Sequence, residues 1–321
     1  MRELDLLAHV YRHNAALPAA VAVPPGDDMA VLRIGGQRVL AAVDQVAEGV
    51  HVTMPPASPA QAGRKAVTRN LSDVAAMAAM PVAALAAASL PRDFGEARAT
   101  ALFDAMRETA EAFDCPLVGG DIAMWDQPLL LTVTVLAEPA GIEPVLRRGA
   151  QPGDGIHVTG ALGGSLEAFP DGYTHHLAFT PRLAAARALA GHAPTRPHAM
   201  IDVSDGLARD LSHLCRASGV DAVIRVADLP LSRGAHQAAA RTGWPAWRHA
   251  LSDGEDYELL FAAPSDAVVE QVADVTVTRI GTIMPRRAEA SRDEPTIVLE
   301  MPEGGRRMLS EFDAAGWEHG A

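Results

Sequence analysis

The chain has 321 residues, 49% hydrophobic and 21% charged, which allows a sizeable core and two domains of roughly 150 residues each. A formal net charge of −13 argues against nucleic acid or an anionic membrane as the main partner, although bound Mg²⁺ lets an acidic chain handle phosphates. Cys115 and Cys215 are too few for a disulfide framework or zinc site, and no apolar leader or long apolar run is present, so a soluble, cytoplasmic protein is expected.

In chain order, Leu4 to His13 reads as a short helix, and Pro24-Pro25-Gly26 as a turn presenting Asp27 and Asp28. Arg38 to Val43 reads as a strand ending at Asp44. Pro59 to Ala79 is mostly helical, and Ser72 or Asp73 is placed to cap a helix whose body is Val74, Ala75, Met77 and Ala78, which would set the positive end of that helix dipole beside an acid and suit phosphate. Val82 to Leu90 is a strand. Ala99, Leu102, Phe103, Met106, Ala110 and Phe113 recur at helical spacing and mark one buried face. A short strand at Pro116 to Val118 is expected to stop at Gly119-Gly120-Asp121, and the alternation of Leu129, Leu131, Val133 and Val135 with Thr132 and Thr134 gives a strand with two unlike faces.

Glu138 to Gly153, rich in Pro and Gly, is the best boundary, giving domains at 1–138 and 139–321. Beyond it come a strand at Ile156 to Thr159, a glycine-rich turn at Gly160 to Gly164, a helix at Arg182 to Ala190 and a strand at Ala199 to Asp202. A helix starts at Asp205 with Leu207, Leu211 and Leu214 on its apolar face. Further strands fall at Tyr257 to Ala262, Val275 to Ile280 and Thr296 to Leu299. Strands and helices mixed in both halves without strict βαβ regularity point to α+β rather than a doubly wound sheet.

The chemistry lies in the aspartates. In company with Asp73, the residues Asp27, Asp28, Asp44, Asp121, Asp202, Asp205 and Asp256 stand where apolar runs give way to Gly, Ser or another acid. Mg²⁺ takes hard oxygen ligands, usually one or two carboxylates with water and substrate phosphate, so acids gathered from several strand ends suit phosphoryl transfer. No G-x-x-x-x-G-K-[ST] loop and no G-x-S-x-G elbow is present. Gly119-Gly120 and Gly160 to Ser165 are possible phosphate cradles or plain turns, and Arg147 and Arg148 could steady phosphate oxygens or form a solvated pair. His51 and Glu255 are available to contact substrate.

Taken together, Gly26 to Val31, Asp44 through Glu48-Gly49-Val50-His51, Asn70 to Met77, Gly119-Gly120-Asp121, Arg147 to Asp154, Val158-Thr159-Gly160, Ile201 to Leu207 and Leu251 to Leu259 resemble the thiamine-monophosphate kinase family over nearly the whole chain. That family belongs to an ATP-binding superfamily shared with aminoimidazole ribonucleotide synthetase and selenophosphate synthetase. The resemblance implies two α/β domains, with N-terminal domains pairing into a β-barrel in a homodimer. It also implies ATP-dependent phosphorylation of thiamine monophosphate to thiamine diphosphate with several Mg²⁺ ions. By matching position, Asp28, Asp44, Asp73, Asp121, Asp202 and Asp205 would bind metal. Gly120, Asp121, Arg147 and Ser204 would meet ATP, and His51, Glu255 and Phe312 would border the thiamine substrate. Asp27 and Asp256 would shape the site.

The chain departs from the family pattern in four places. Ala42 and Val43 replace two hydroxyl residues that help hold metal, and Ile122-Ala123-Met124 replaces a polar segment near the nucleotide. Gly164 stands where an acid is usual, and the aromatic tail is altered around Phe312-Asp313-Ala314. The alternatives are a superfamily enzyme acting on another small phosphorylated or amide substrate, and a non-catalytic nucleotide-binding paralogue.

Overall fold

The computed structural model describes Leu6, His9 and residues 17–267, 269–287 and 295–312. The expected helix at Leu4 to His13 therefore lies outside the described residues apart from those two positions.

Two mostly antiparallel sheets carry the fold. The first is ordered β1-β2-β3-β6-β4-β5 and is built from β1 (Val21–Val23), β2 (Ala30–Ile34), β3 (Gln37–Ala47), β4 (Ala79–Pro91), β5 (Leu117–Trp125) and β6 (Leu130–Pro139). Only β4 and β5 run parallel. The second takes β7 (Gly155–Thr159), β8 (Ala199–Asp202), β9 (Asp221–Arg225), β10 (Leu259–Ala263), β11 (Gln271–Val272), β12 (Val275–Met284), β13 (Ile297–Glu300) and β14 (Arg306–Met308). Its main path is β14-β13-β9-β12-β7-β10-β8, with β11 paired to β12. This mixed, largely antiparallel arrangement is the expected α+β architecture.

Helix α1 (Pro59–Ala76) lies at the seam between the sheets. Ser58 caps it by accepting from the Gln61 N–H while the Gln61 side chain reaches back to the Ser58 N–H, and Pro59 occupies a first-turn position that needs no donor. The cap expected at Ser72 or Asp73 is thus corrected: both residues sit in the last turn of α1. Ala62, Ala66, Val67, Leu71 and Val74 supply a buried face that carries the helix through them without a break. Asp73 therefore stands near the negative end of the helix dipole, not the positive one.

Helix α2 (Glu96–Ala112) packs on α1, where Gly63 leaves the room. A Cβ there would fall 2.5 Å from the Leu102 carbonyl oxygen. Two further corrections concern strands. β5 does not stop at Gly119 but runs through Gly119, Gly120 and Asp121 to Trp125, because parallel pairing with β4 continues from Ala84 to Pro91. β3 likewise carries Asp44 inside the strand, three residues before its end, since pairing with β6 extends to Ala47.

The first core joins the inner face of the first sheet to α1, α2 and α3 (Leu183–Gly191), and continues onto Met200, Leu259, Phe261 and Val277 of the second sheet. The other face of the second sheet packs on α4 (Leu207–Ser218) through Leu207, Leu211 and Leu214. Burial on both faces explains why β7, β8 and β10 read as continuous apolar runs. Helices α5 (Arg233–Thr242) and α6 (Ala246–Ser252) follow on the same side. Among the described residues, no helix is long and apolar enough to cross a membrane.

Candidate active site

Because α1 ends against β8, the seam gathers acids from three separate elements. One carboxylate oxygen from each of Asp28, Asp73 and Asp202 lies within 4.8 Å of the other two. Ser72 Oγ donates 2.6 Å to Asp202 Oδ2 and ties the end of α1 to the end of β8. Arg147, on the connection after β6, donates to Asp28 Oδ1 through Nε at 3.2 Å and Nη2 at 2.7 Å. Its backbone N–H donates 3.1 Å to Asp27 Oδ1.

The cluster is short of positive charge. Burial first, then Asp44, Asp202 and Asp28, push the Asp73 carboxyl well above its ordinary range. Burial and Asp28 raise Asp202 to about 7 against the opposing pull of the Ser72 hydroxyl and Arg147. Burial and Asp28 likewise raise Asp27 to about 6. Asp28 Oδ2 is buried with no hydrogen-bond partner among the described residues. Hard carboxylate oxygens, crowded and under-compensated, fit a divalent cation such as Mg²⁺.

The remaining expected ligands are placed differently. Asp44 is outside the three-acid set and pairs with Arg69, whose Nε lies 3.4 Å from Asp44 Oδ2. Asp205 follows Asp202 in the β8–α4 turn. Its carboxylate pairs with Arg209 at 3.3 Å, and its N–H donates 3.1 Å to Asp210 Oδ2. Ser204, between them, is half-buried, and its carbonyl accepts from the Glu255 N–H at 2.8 Å. Asp121 is exposed. Its pairing with Ala87, and of Ala87 with Thr132 opposite Gln45, puts it on the sheet face away from Asp44. Gly120 lies beside it on that edge strand, paired with Ala86.

Next to the acids is a second polar cluster. Lys65, fully buried on α1, forms an ion pair with Glu255, donates 2.7 Å to the His51 carbonyl and lies 2.8 Å from His176 Nδ1. Burial would raise the Glu255 carboxyl, but contact with His176 and the charges of Lys65 and Arg69 hold it down at about 2. His51 Nδ1 accepts from the Ala47 N–H at 3.1 Å. Glu255 and Tyr257 adopt left-handed backbone with φ of 58° and 51°. Such strain at two side-chain-bearing residues persists only where the surroundings enforce it. The Tyr257 hydroxyl is buried without a hydrogen-bond partner, and its ring stacks on Phe179 with centroids 3.9 Å apart. Phe312 is not seen against this cluster; its ring meets Trp247 edge-on at 5.4 Å and lies under the Arg307 guanidinium.

The glycine turn at Gly160 to Ser165 is a structural joint, not an open phosphate cradle. The Gly163 and Gly164 N–H groups donate to Asp256 and Asp253, and a Cβ on Gly164 would fall 2.0 Å from the Gly234 backbone. Asp256 is thereby held inside this joint, and Arg148 is exposed.

The model of the AIR synthase related protein N-terminal domain matches residues 26–138, and that of the C-terminal domain matches residues 149–294. Thiamine-monophosphate kinase of Rhodopirellula baltica is 38% identical over 295 residues, covering 88% of this chain and 90% of the relative. The chain belongs to the thiamine-monophosphate kinase family. The Salmonella typhimurium thiamine-monophosphate kinase is 34% identical across 99% of this chain and 98% of its own length. A solved structure of AaThiL complexed with AMPPCP and TMP superposes with a TM-score of 0.81 at 27% identity, covering 99% of this chain and 97% of that one.

Against the family pattern, Ala42 is half-buried and shares the sheet face of Asp44, whereas Val43 points to the other face and is 60% exposed. Ile122 and Met124 are also exposed on β5. Lys65, Arg69, His176, Asp210 and Tyr257 also stand at these clusters, and no motif in the sequence singles them out. Their signal was present for Lys65 and Arg69: each is a cation within the apolar-periodic stretch that became α1.

Proposed function

We propose that this chain transfers the γ-phosphoryl group of ATP to thiamine monophosphate, giving thiamine diphosphate. The observation that carries the reading is the buried Asp28–Asp73–Asp202 set beside Arg147, in a chain whose family relatives are thiamine-monophosphate kinases. Asp28, Asp73 and Asp202 are the residues that would hold Mg²⁺, with Asp205 as a further carboxylate on the nucleotide side; Asp121, on the opposite face of the first sheet, is assigned there by the family pattern alone. Bound divalent ions supply charge neutralisation between carboxylates and phosphate oxygens. Arg147, already aimed at the cluster, orients nucleotide phosphate by charge-assisted hydrogen bonds, and Ser204 and Gly120 border the same ligand. The acceptor is a phosphate, anionic at neutral pH, so no side chain has to remove a proton and the protein acts by positioning. His51 and Glu255, locked by Lys65, form the acceptor side, and Phe312 is assigned there by the family pattern alone.

In this reading residues 1–138 contribute the metal-binding and pairing half, and residues 139–321 complete the cleft. A homodimer through the first sheet follows from its open face. Val43 and Leu85 flank Thr134 in one row on that face and are 60% and 40% exposed. Asp121 stands on the same face, so a ligand role for it is exercised beside the partner.

The test is an acceptor screen following ADP release with thiamine monophosphate, thiamine and unrelated small phosphates. Release above the ATP-only rate with thiamine monophosphate alone supports the reading. Release with a different acceptor and none with thiamine monophosphate moves the activity to another member of the superfamily.

A further inference from the structure

Asp44 is a family-pattern acid on the inner face of the first sheet; like Asp28 with Arg147 it has a protein cation beside it, but unlike Asp28 it stands outside the three-acid set. Arg69 lies on α1 one turn before Asp73 and is therefore on the same helix face as that acid. Its side chain is only 13% exposed, its Nε is 3.4 Å from Asp44 Oδ2, and its Nη1 donates 2.8 Å to the Gln45 carbonyl. The hydrogen bond to Gln45 fixes the guanidinium against that strand, and the approach of Nε to Asp44 is an ion pair without a hydrogen bond. A nearby carboxylate stabilises a buried guanidinium, and Asp44 is the carboxylate in ion-pair contact with this one, with the charges of Glu255 and Asp73 acting on it as well.

The strand beside Asp44 gives a metal little else to bind. Ala42, the residue two positions back on the same face, has no ligand atom, and Val43 points away. Asp44 itself is outside the set of carboxylates whose oxygens approach within 4.8 Å. A divalent ion placed on Asp44 would have one carboxylate from this strand, no neighbouring hydroxyl, and a guanidinium at contact distance repelling it.

We propose that Arg69 is the resident counter-charge of Asp44, so that this chain binds divalent ions on Asp28, Asp73 and Asp202 while a guanidinium occupies the Asp44 corner. Arg69 is thus a positioning residue that sets how many ions the site takes. The inference rests on the reading that the acid cluster binds divalent metal, and it concerns the number of ions, not the identity of the acceptor.

The experiment counts Mn²⁺ ions bound per full-length chain, by electron paramagnetic resonance of the free ion, without nucleotide or acceptor. Wild type and Asp44→Asn are expected to bind the same number of ions. The double substitution Arg69→Gln with Ala42→Thr, which frees Asp44 and restores an oxygen on its face, is expected to bind one more. Arg69→Lys with Ala42→Thr keeps the charge and is expected to match wild type, which separates the charge effect from any loosening of α1. Loss of an ion in Asp44→Asn, or no gain in the Gln/Thr chain, overturns the proposal while leaving the metal site intact. A wild-type chain that binds no Mn²⁺ overturns the metal reading itself and this proposal with it.

Discussion

Replacing Asp73 by Asn separates stability from activity. Oxygens of Asp28 and Asp202 lie within 4.8 Å of an oxygen of Asp73. At that distance, with an effective dielectric near 20, two unit charges repel by about 3 kcal/mol. Because burial and its acidic neighbours hold the Asp73 carboxyl well above its ordinary range, its own partial protonation, that of Asp202 and attraction from Arg147 relieve part of this repulsion, leaving a net gain of about 2 kcal/mol on replacement by Asn. Asn is nearly isosteric, so the packing of α1 against β8 is preserved. In metal-free buffer the variant should therefore melt roughly 4–8 °C above wild type, taking about 2–4 °C per kcal/mol for a domain of this size. Mg²⁺ with ATP should reverse the order. A ligand at a hundredfold its dissociation constant adds about 2.7 kcal/mol to wild type, and the Asp73→Asn chain forfeits most of that. Turnover should fall by roughly a hundredfold or more, as when an electrostatic contact to the reacting groups is removed. Differential scanning fluorimetry with EDTA and with Mg²⁺–ATP, beside a turnover assay, reads all three. A variant less stable than wild type in EDTA would refute the claim that the cluster is short of positive charge.

Three further outcomes follow from other parts of the molecule. Burial and the neighbouring Arg279 depress His157 from 6.5 to about 4. The unfolded chain therefore takes up a proton first as pH falls, and stability declines between about 6.5 and 4 with no contribution above that window. From pH 6.5 to 5 the loss is about 2 kcal/mol, so His157→Gln should show a smaller fall in urea midpoint over that interval; equal slopes would contradict it. Gly63→Ala should cost about 1–3 kcal/mol through its clash with the Leu102 carbonyl, read as a lower urea midpoint, and an unchanged midpoint would show that α1 and α2 can part cheaply. Leu85→Glu should turn a dimer into a monomer by sedimentation, because it puts a charge on the open apolar row of the first sheet, and a persistent dimer would place the interface elsewhere.

The elements were legible where local pattern decides them. Ala199–Asp202 was read with its observed bounds, and the face of α2 followed from Leu102, Met106 and Ala110. Motifs brought the acids to notice, but their placement needed tertiary structure. Asp73 looked like an N-cap because Ser and Asp precede an apolar run, yet helix propagation from Ser58 overrode that local signal. Gly119 and Gly120 looked like a strand terminus, but pairing with β4 carries the backbone through them. The side of the sheet on which Asp121 stands depends on register across β5, β4, β6 and β3, which no short stretch encodes. Lys65 and Arg69 are visible in the sequence as cations within an apolar-periodic helix, but what they do depends on partners from distant parts of the chain, Glu255 and Asp44.

The central claim is that the acids at the seam serve phosphoryl transfer to thiamine monophosphate. Its most direct test is chromatographic detection of thiamine diphosphate from thiamine monophosphate and ATP across a Mg²⁺ titration, with ADP measured in parallel. One thiamine diphosphate per ADP is expected, formed only when Mg²⁺ is present and abolished in Asp73→Asn. ADP without thiamine diphosphate, or product formed equally well in EDTA, would contradict it.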